Sequence, residues 1–346
     1  MKASWNRITS LTMAHMKLLL RDRMSLFWFM VFPIIMTVLF GYLVPNVGNQ
    51  SKIMVVSDGT YTKEHSMVQK LLSVPNTEWA EETPEGIIQE FKNGYLSMVV
   101  SVSEKDGFSL HYREEHKDGV VQVLSDVILL ENAQAKIDFV DYENVKSIRP
   151  IDFILPGMIV LTIMQIGLFG GNTLLIDRNS QILRRLKTNG IKASEIILSH
   201  ILSRILLVLA SVLLLTIVGK WVLSAHLDLS QWYILIPITL VAGFSFLCMG
   251  LLIASLFRSP EAGTIFSQSI NFPMAFLCGI FFPLSTVPDI MQKIAAVLPL
   301  TPLVDTFRGL LLAIEVSQMD IMMTVLILIA WGMTSLGLGS IMFKWE

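Results

Sequence analysis

Six long apolar runs punctuate the chain, at 24–44, 153–176, about 201–223, 232–257, about 262–283 and 321–343. A helix in lipid satisfies its own backbone groups, and about 20 residues suffice to cross the hydrocarbon core. Each run therefore predicts a transmembrane helix. The third is the least clean, because Arg204 and Lys220 lie near its ends. Long basic side chains at such positions reach back to the interface.

Ahead of the first run the pattern changes. Trp5, Ile8, Leu11, Ala14 and Leu18 recur at helical spacing among Arg7, Lys17, Arg21 and Arg23. Residues 1–23 therefore predict an amphipathic helix lying on the membrane surface, with anchoring as its expected role. A cleaved signal peptide is the competing reading of this start. The apolar run begins late for one, is too long, and lacks a small-residue cleavage site.

Between 45 and 152 the alternation is that of a small soluble domain. Strands are predicted at 52–57, 95–102 and 108–112, and helices at 62–72, at 84–92 with Thr83 as a cap, and at about 119–138. Asp58-Gly59 and Asp106-Gly107 read as turns. The expected fold class is an all-α polytopic membrane domain of six transmembrane helices carrying an inserted small α/β extracytoplasmic domain.

Composition agrees with a bilayer as solvent: 53% of residues are hydrophobic and 16% charged. A net charge of −2 argues against a nucleic-acid partner. The distribution of charge says more than its sum. Lys and Arg outnumber acids in 1–23 and 177–204, whereas 45–152 is acidic. The positive-inside rule then places both termini in the cytoplasm and 45–152 outside, in a multi-pass cell-membrane protein, expected to be bacterial.

Candidate chemistry is sparse. Cys248 and Cys278 lie in apolar runs without metal-ligand spacing. The histidines, His15, His65, His111, His116, His200 and His226, are scattered in sequence and form no HExxH pattern. No metal site and no catalytic residue are expected. The Gly-Lys pair Gly219-Lys220 is followed by Trp221, so no GxxxxGK[ST] phosphate loop is present. Any ATP-driven step would need its ATP and Mg bound by a separate chain, and no cofactor is expected in this one.

Two stretches carry more specific patterns. Between the second and third runs lie Asp177, Arg178, Leu183, Arg184, Arg185, Leu186 and Lys187. On charge alone this basic helix reads as a topology anchor. After the fifth run come Gly279, Phe282 and Pro283, then Pro288, Pro299, Thr301-Pro302 and Arg308. Prolines at these intervals break a long helix into short pieces over about 284–318, which need protein cover at membrane depth.

These patterns resemble the type-2 ABC exporter permeases. Asp177-Arg178 with Leu183 and Leu186 resembles the family's ERExGTLExLxxxP segment, although Gln181-Ile182 replace Gly-Thr and the closing Pro is missing near Asn189-Gly190. Residues 273–308 resemble its P…LSGxxFP…MP…LPxTxxxxxxR signature, with Cys278 in place of Ser. Phe32-Pro33 and Phe40-Gly41 resemble its first span, and an insertion after that span fits one subgroup.

The resemblance implies a permease subunit that pairs with a second permease, homo- or heterodimeric, and with ABC ATPase subunits. It also implies export of a hydrophobic or amphipathic substrate such as a drug, antimicrobial or lipid. Residues 177–200 would couple to the ATPase, and Gly279, Phe282, Pro283, Pro288, Pro299 and Arg308 would form an outer gate. Gln165 and Asn172, two turns apart on the second span, and Gln268 and Asn271 on the fifth would line the substrate path. Hydrogen bonding between helices explains those four equally well. Two rival functional classes are a membrane-anchored receptor or scaffold whose inserted domain binds a ligand without ATP-driven transport, and an ATP-independent channel or intramembrane enzyme, which would normally show ionisable residues in the span centres, where the sequence has none.

Overall fold

A computed structural model describes residues 2–43, 53–57, 62–74, 77–80, 84–92, 96, 98–103, 107–112, 137–141, 149–188, 190–281, 284, 288–314 and 316–342. The chain divides into two compact units, one formed by 1–41 and 151–346 and the other by 42–150.

The smaller unit is a mixed sheet flanked by helices. Strands β1 (Ile53–Ser57), β2 (Thr77–Trp79), β3 (Met98–Ser103), β4 (Gly107–Tyr112) and β5 (Ile137–Asp141) align in the order β2-β1-β3-β4-β5. All neighbours are parallel except β3 and β4, which pair antiparallel with Val100 opposite Leu110. Short polar-flanked runs of Val and Met give β1 and β3, whose side chains alternate between the two faces. Val55 and Val100 enter one core with Leu71 and Leu110, while Val56 and Val99 enter a second with Ile87 and Phe91. Two-sided burial explains why these strands read as continuous apolar runs.

The sequence reading finds β1, β3 and β4 and the helices at Ser66–Leu72 and Pro84–Lys92, but not β2 or β5. β2 has three residues, too short for an alternation to register. Most of the helix expected at about 119–138 lies outside the described residues, and its last two positions, Ile137 and Asp138, belong to β5.

The larger unit is helical. It contains α1 (Lys2–Arg21), a first span built from Arg23–Leu26, a π-helical turn at Phe27–Val31 and Phe32–Leu43, and then α6 (Pro150–Asn179), α7 (Ile182–Thr188) and α8 (Ala193–Ile217). These are followed by α9 (Trp232–Leu256), α10 (Pro260–Leu277), α11 (Asp289–Val297), α12 (Leu300–Leu312) and α13 (Gln318–Met342). (The two pieces of the first span are α2 and α3, and the two helices of the smaller unit α4 and α5.) Among the described residues, five helices are long and apolar enough to cross a membrane, or six when the bent pair α11 and α12 is taken as one span. The expected helical membrane domain with an inserted α/β domain is thus what the chain forms.

The apolar run at 262–283 behaves differently from the rest. Its helix, α10, carries Thr264, Ser267, Gln268, Ser269 and Asn271 and is too polar to count among the five. The helix ends at Leu277, and Gly279 adopts φ +72°, a conformation that glycine takes without a Cβ penalty.

Packing centres on α6, which is buried along nearly all of 150–175. Gly167 and Gly171 stand one turn apart on it, facing Phe246 and Gly250 of α9, and a Cβ at Gly171 would run into the Gly250 carbonyl. This small-xxx-small contact brings two backbones to van der Waals distance, which is how helices bind where lipid removes the hydrophobic drive. On its other side α9 meets α13, where Gly332 lies against Ser245 and the Ser245 hydroxyl donates to the Leu328 carbonyl at 2.7 Å. Near the Asn179 end of the bundle, Leu174, Ile196, Ile197, Leu251, Leu336, Gly339 and Ser340 line a half-open cavity of about 230 Å³ with no charged lining.

α1 does not use the expected stripe alone. Ile8, Thr12 and Leu19 are buried against the bundle, with α8 as the chief neighbour, whereas Trp5 and Leu18 are exposed. The helix is apolar on two sides, one for α8 and one for its surroundings, and a single-stripe reading cannot separate them.

Candidate functional site

Three groups of residues at different levels of the helical unit carry its polar chemistry. The first is the turn where α6 gives way to α7. Gln181 at φ 57° breaks the helix axis, and α7 then runs from Ile182 to Thr188. Gly190 at φ +75° ends the segment, and the Glu195 carboxylate accepts from the Lys192 N–H at 3.0 Å to start α8.

This turn is tied to the bundle at several points. Arg178 Nη2 donates to the carbonyl of Phe257 at 2.9 Å, at the corner between α9 and α10. Arg7 Nη1 of α1 donates to the Gly190 carbonyl at 3.2 Å. His200 Nε2 lies 3.1 Å from Asp177 Oδ2, and the His200 ring stacks on that of His15 with centroids 3.9 Å apart. Arg204, buried beside them, donates to Thr173 Oγ1 at 3.1 Å. Burial, then the neighbouring His200, lowers the His15 pKa to about 4, so its imidazole is neutral at physiological pH.

Of the residues expected to couple to a partner, Asp177 and Arg178 close α6, Arg185 is exposed on α7, and Leu186 is half-buried. Leu183, Arg184 and Lys187 belong to the same helix by backbone, and their side chains lie outside the described residues.

The second group is a polar seam between α6 and α10. Asn172 Nδ2 donates to Thr264 Oγ1 at 2.9 Å, and Gly263 leaves room for the amide, since a Cβ there would strike Asn172 Oδ1. Ser267 and Asn271 follow Gly263 at four-residue intervals and are buried on the same face of α10. Among the described residues, Asn172 Oδ1, Ser267 Oγ and Asn271 Oδ1 are buried without a hydrogen-bond partner. Orphaned groups cost about 1–3 kcal/mol each where they stay dry. Gln165 is buried on α6, while Gln268 turns away and is half-buried. The structure therefore joins Asn172 to α10 and adds Gly263, Thr264 and Ser267. Their spacing was readable, but a small residue and two hydroxyls carry little signal beside Gln and Asn.

The third group sits at the opposite end of α6. α11 and α12 meet at 84° around Leu298 and Pro299. The Thr301 hydroxyl donates back to the Ala295 carbonyl at 2.7 Å, which holds the bend. Arg308, buried on α12, donates to the Gly279 carbonyl at 2.8 Å and, at 3.4 Å, to that of Phe153, and its guanidinium stands 3.7 Å over the Phe153 ring. A planar cation thus stitches α12 to the start of α6 and the end of α10. Pro288 is exposed at the start of α11, and Phe282 and Pro283 lie outside the described residues.

Nearby, Asp152 Oδ1 accepts the His226 N–H at 2.8 Å and Oδ2 lies 3.2 Å from His226 Nδ1. Sequence reasoning missed this pair, because 74 residues separate partners whose meeting depends on the loop between α8 and α9. In that loop the Ser230 N–H, then its hydroxyl, hold the Asp228 pKa below the usual carboxylate value.

Comparison with known proteins gives a consistent picture. Residues 120–312 match the family model described as ABC-2 type transporter. The chain is 30% identical over 97 residues to nodulation protein J of Rhizobium leguminosarum bv. viciae, and 32% over 105 residues to nodulation protein J of Bradyrhizobium diazoefficiens. Those matches cover 27% and 30% of this chain, and only 38% and 39% of the relatives' length. It is also 21% identical to the probable multidrug ABC transporter permease YbhS of Escherichia coli K12, across 97% of this chain and 96% of that one.

Proposed function

The chain belongs to the ABC-2 type transporter family, and from that premise we propose that it is the permease subunit of an ATP-driven exporter moving a hydrophobic or amphipathic substrate out of the cell. It works as a homo- or heterodimer with two ABC ATPase chains that hold ATP and Mg²⁺. The α6–α7 turn faces the cytoplasm together with both termini, and the inserted domain faces outside, in keeping with the excess of Lys and Arg beside the former.

The observation that carries this reading is the Arg178 bond to the Phe257 carbonyl. α7 receives the ATPase; Asp177 and Arg178 at its root transmit the push to the α9–α10 corner, and α10 follows. Along α10 the seam of Asn172, Ser267 and Asn271 forms the polar side of the substrate path once it separates from α6. Arg308 and Gly279 form the outer gate. No bond is made or broken in this chain, so transport rests on different contacts in two conformations. The full-length similarity to a permease described as a probable multidrug transporter, and the uncharged cavity near the Asn179 end of α6, favour an apolar cargo.

The test is copurification and coupling. Solubilised from its native membrane, the protein should bring a nucleotide-binding chain with it. Arg178→Gln loses a charged hydrogen bond of about 1.5–3 kcal/mol, so export should fall about 10–100-fold while ATP hydrolysis persists. Purification without any nucleotide-binding chain, together with unchanged export in Arg178→Gln, overturns the proposal.

A further inference from the structure

We propose that His15, Asp177 and His200 form a binding site for a divalent metal ion of the zinc class, which clamps α1 to the ends of α6 and α8.

The three residues come from three helices and are far apart in sequence, yet one ligand atom of each lies within 4.8 Å of the others. Two imidazole nitrogens and a carboxylate oxygen suit Zn²⁺, Co²⁺ or Ni²⁺ and are a poor set for Mg²⁺ or Ca²⁺, which prefer oxygen alone. Bonds of about 2.0–2.2 Å to a tetrahedral ion put ligand atoms about 3.4 Å apart. His200 Nε2 and Asp177 Oδ2, at 3.1 Å, already meet that spacing.

His15 closes the site by turning its ring out of the stack on His200, whose planes are already 29° from parallel. Bonding a metal through His200 Nε2 uses that nitrogen's lone pair, so the imidazole carries its one proton on Nδ1, and Asp177 Oδ2 turns from hydrogen-bond partner to fellow ligand.

The surrounding charge permits a cation. Arg204 is the adverse group, but it donates to Thr173 Oγ1 and interacts with the carboxylates of both Asp177 and Asp22. Two carboxylates thus stand against one guanidinium before the ion arrives. Ser199 lies 3.5 Å from His15 Nδ1, and its hydroxyl donates to the Ile196 carbonyl, which leaves its oxygen free to accept from Nδ1–H and orient the ring.

The consequence for transport rests on the exporter reading. Asp177 precedes Arg178 at the root of α7, so an ion that ties Asp177 to α1 and α8 holds the coupling turn in one position. Zn²⁺ would therefore arrest transport from the cytoplasmic side.

Binding is tested without transport. The full-length protein, purified without a polyhistidine tag, is titrated with Co²⁺ and followed by visible absorption. One saturable equivalent per chain is expected, with the intense bands of a four-coordinate site. Removing a ligand should cost more than the roughly 10–100-fold lost with an outer-shell partner, so His15→Gln and His200→Gln should each weaken binding by at least about 100-fold, while His226→Gln should not. Absence of saturable Co²⁺ binding in the wild-type protein overturns the site whatever the variants do. So does wild-type binding by the double variant. With the ATPase reconstituted, Zn²⁺ inhibition that His15→Gln relieves supports the clamp. Inhibition unchanged in His15→Gln overturns it and leaves the exporter reading standing.

Discussion

Arg308 Nη2 donates to the carbonyl of Gly279 at 2.8 Å, across 29 residues of chain and from within a buried setting. Gly279 has φ +72° and presents its carbonyl just beyond the last turn of α10. The same guanidinium covers the Phe153 ring and reaches the Phe153 carbonyl. Three segments therefore share one cation.

Arg308→Lys should destabilise the protein even though the charge is kept. A lysine ammonium cannot reproduce the fork that serves both carbonyls, and losing one charged hydrogen bond costs about 1.5–3 kcal/mol. Thermal melting of the detergent-solubilised protein should show a clearly lowered Tm. An unchanged Tm would mean that the bent helices are held by packing alone.

Gly171→Ala and Gly337→Ala form a matched pair. Each adds one methyl group to the middle of a helix, but at Gly171 it meets the Gly250 carbonyl and at Gly337 nothing lies within 4 Å. The first should cost about 1–3 kcal/mol as overpacking. The second should be neutral or stabilising by up to about 1 kcal/mol. Comparable melting temperatures for the two proteins would contradict the close approach of α6 and α9.

Asn271→Leu separates stability from transport. Asn271 Oδ1 is buried and unpartnered, so replacing the amide with an apolar group of similar size should leave the Tm unchanged or higher. If the seam serves the substrate path, export in reconstituted vesicles should fall. Thr264→Val is the counterpart, since it removes the acceptor of Asn172 Nδ2 and should cost about 0.6–1.7 kcal/mol.

Asp22 offers a pH test at the start of the first span. Its carboxylate accepts from Ser25 N–H, and the Ser25 hydroxyl chiefly holds its pKa below the ordinary aspartate value of 3.8. A folded-state pKa below the unfolded one means that the carboxylate's contribution is complete above pH 3.8 and is lost as pH falls through the folded value. Asp22→Ala should cost about 1 kcal/mol as a lost cap. The Tm gap to wild type should be constant from pH 5 to 8 and narrow only below pH 4.

The spans were legible because lipid imposes one rule on every residue of a helix, and five of the six runs meet it over their full length. The remaining run, the fifth, read as a span like the others, but Ser267, Gln268 and Asn271 interrupt its apolar character and its helix stops at Leu277, before Gly279. The bend at Leu298–Pro299 was legible in its prolines. What holds it was not: no local pattern announces that Arg308 will find Gly279, or that Asp152 will find His226. The His15–Asp177–His200 cluster was invisible for the same reason. Each residue looked isolated along the chain, and only the packing of α1 on α8 brings them together. The π-helical turn at Phe27–Val31 also left no mark in the hydropathy.

α6 has almost no free face, and its glycines lock it to α9. A rod enclosed in this way cannot slide past its neighbours without opening the packing around it, so α6 and α9 form the fixed frame. Movement is left to the elements outside that frame, the first span and α10 with its exposed Phe272 and Phe276. An effector of this protein would best be sought among compounds that wedge beside α10, since α6 offers them no foothold.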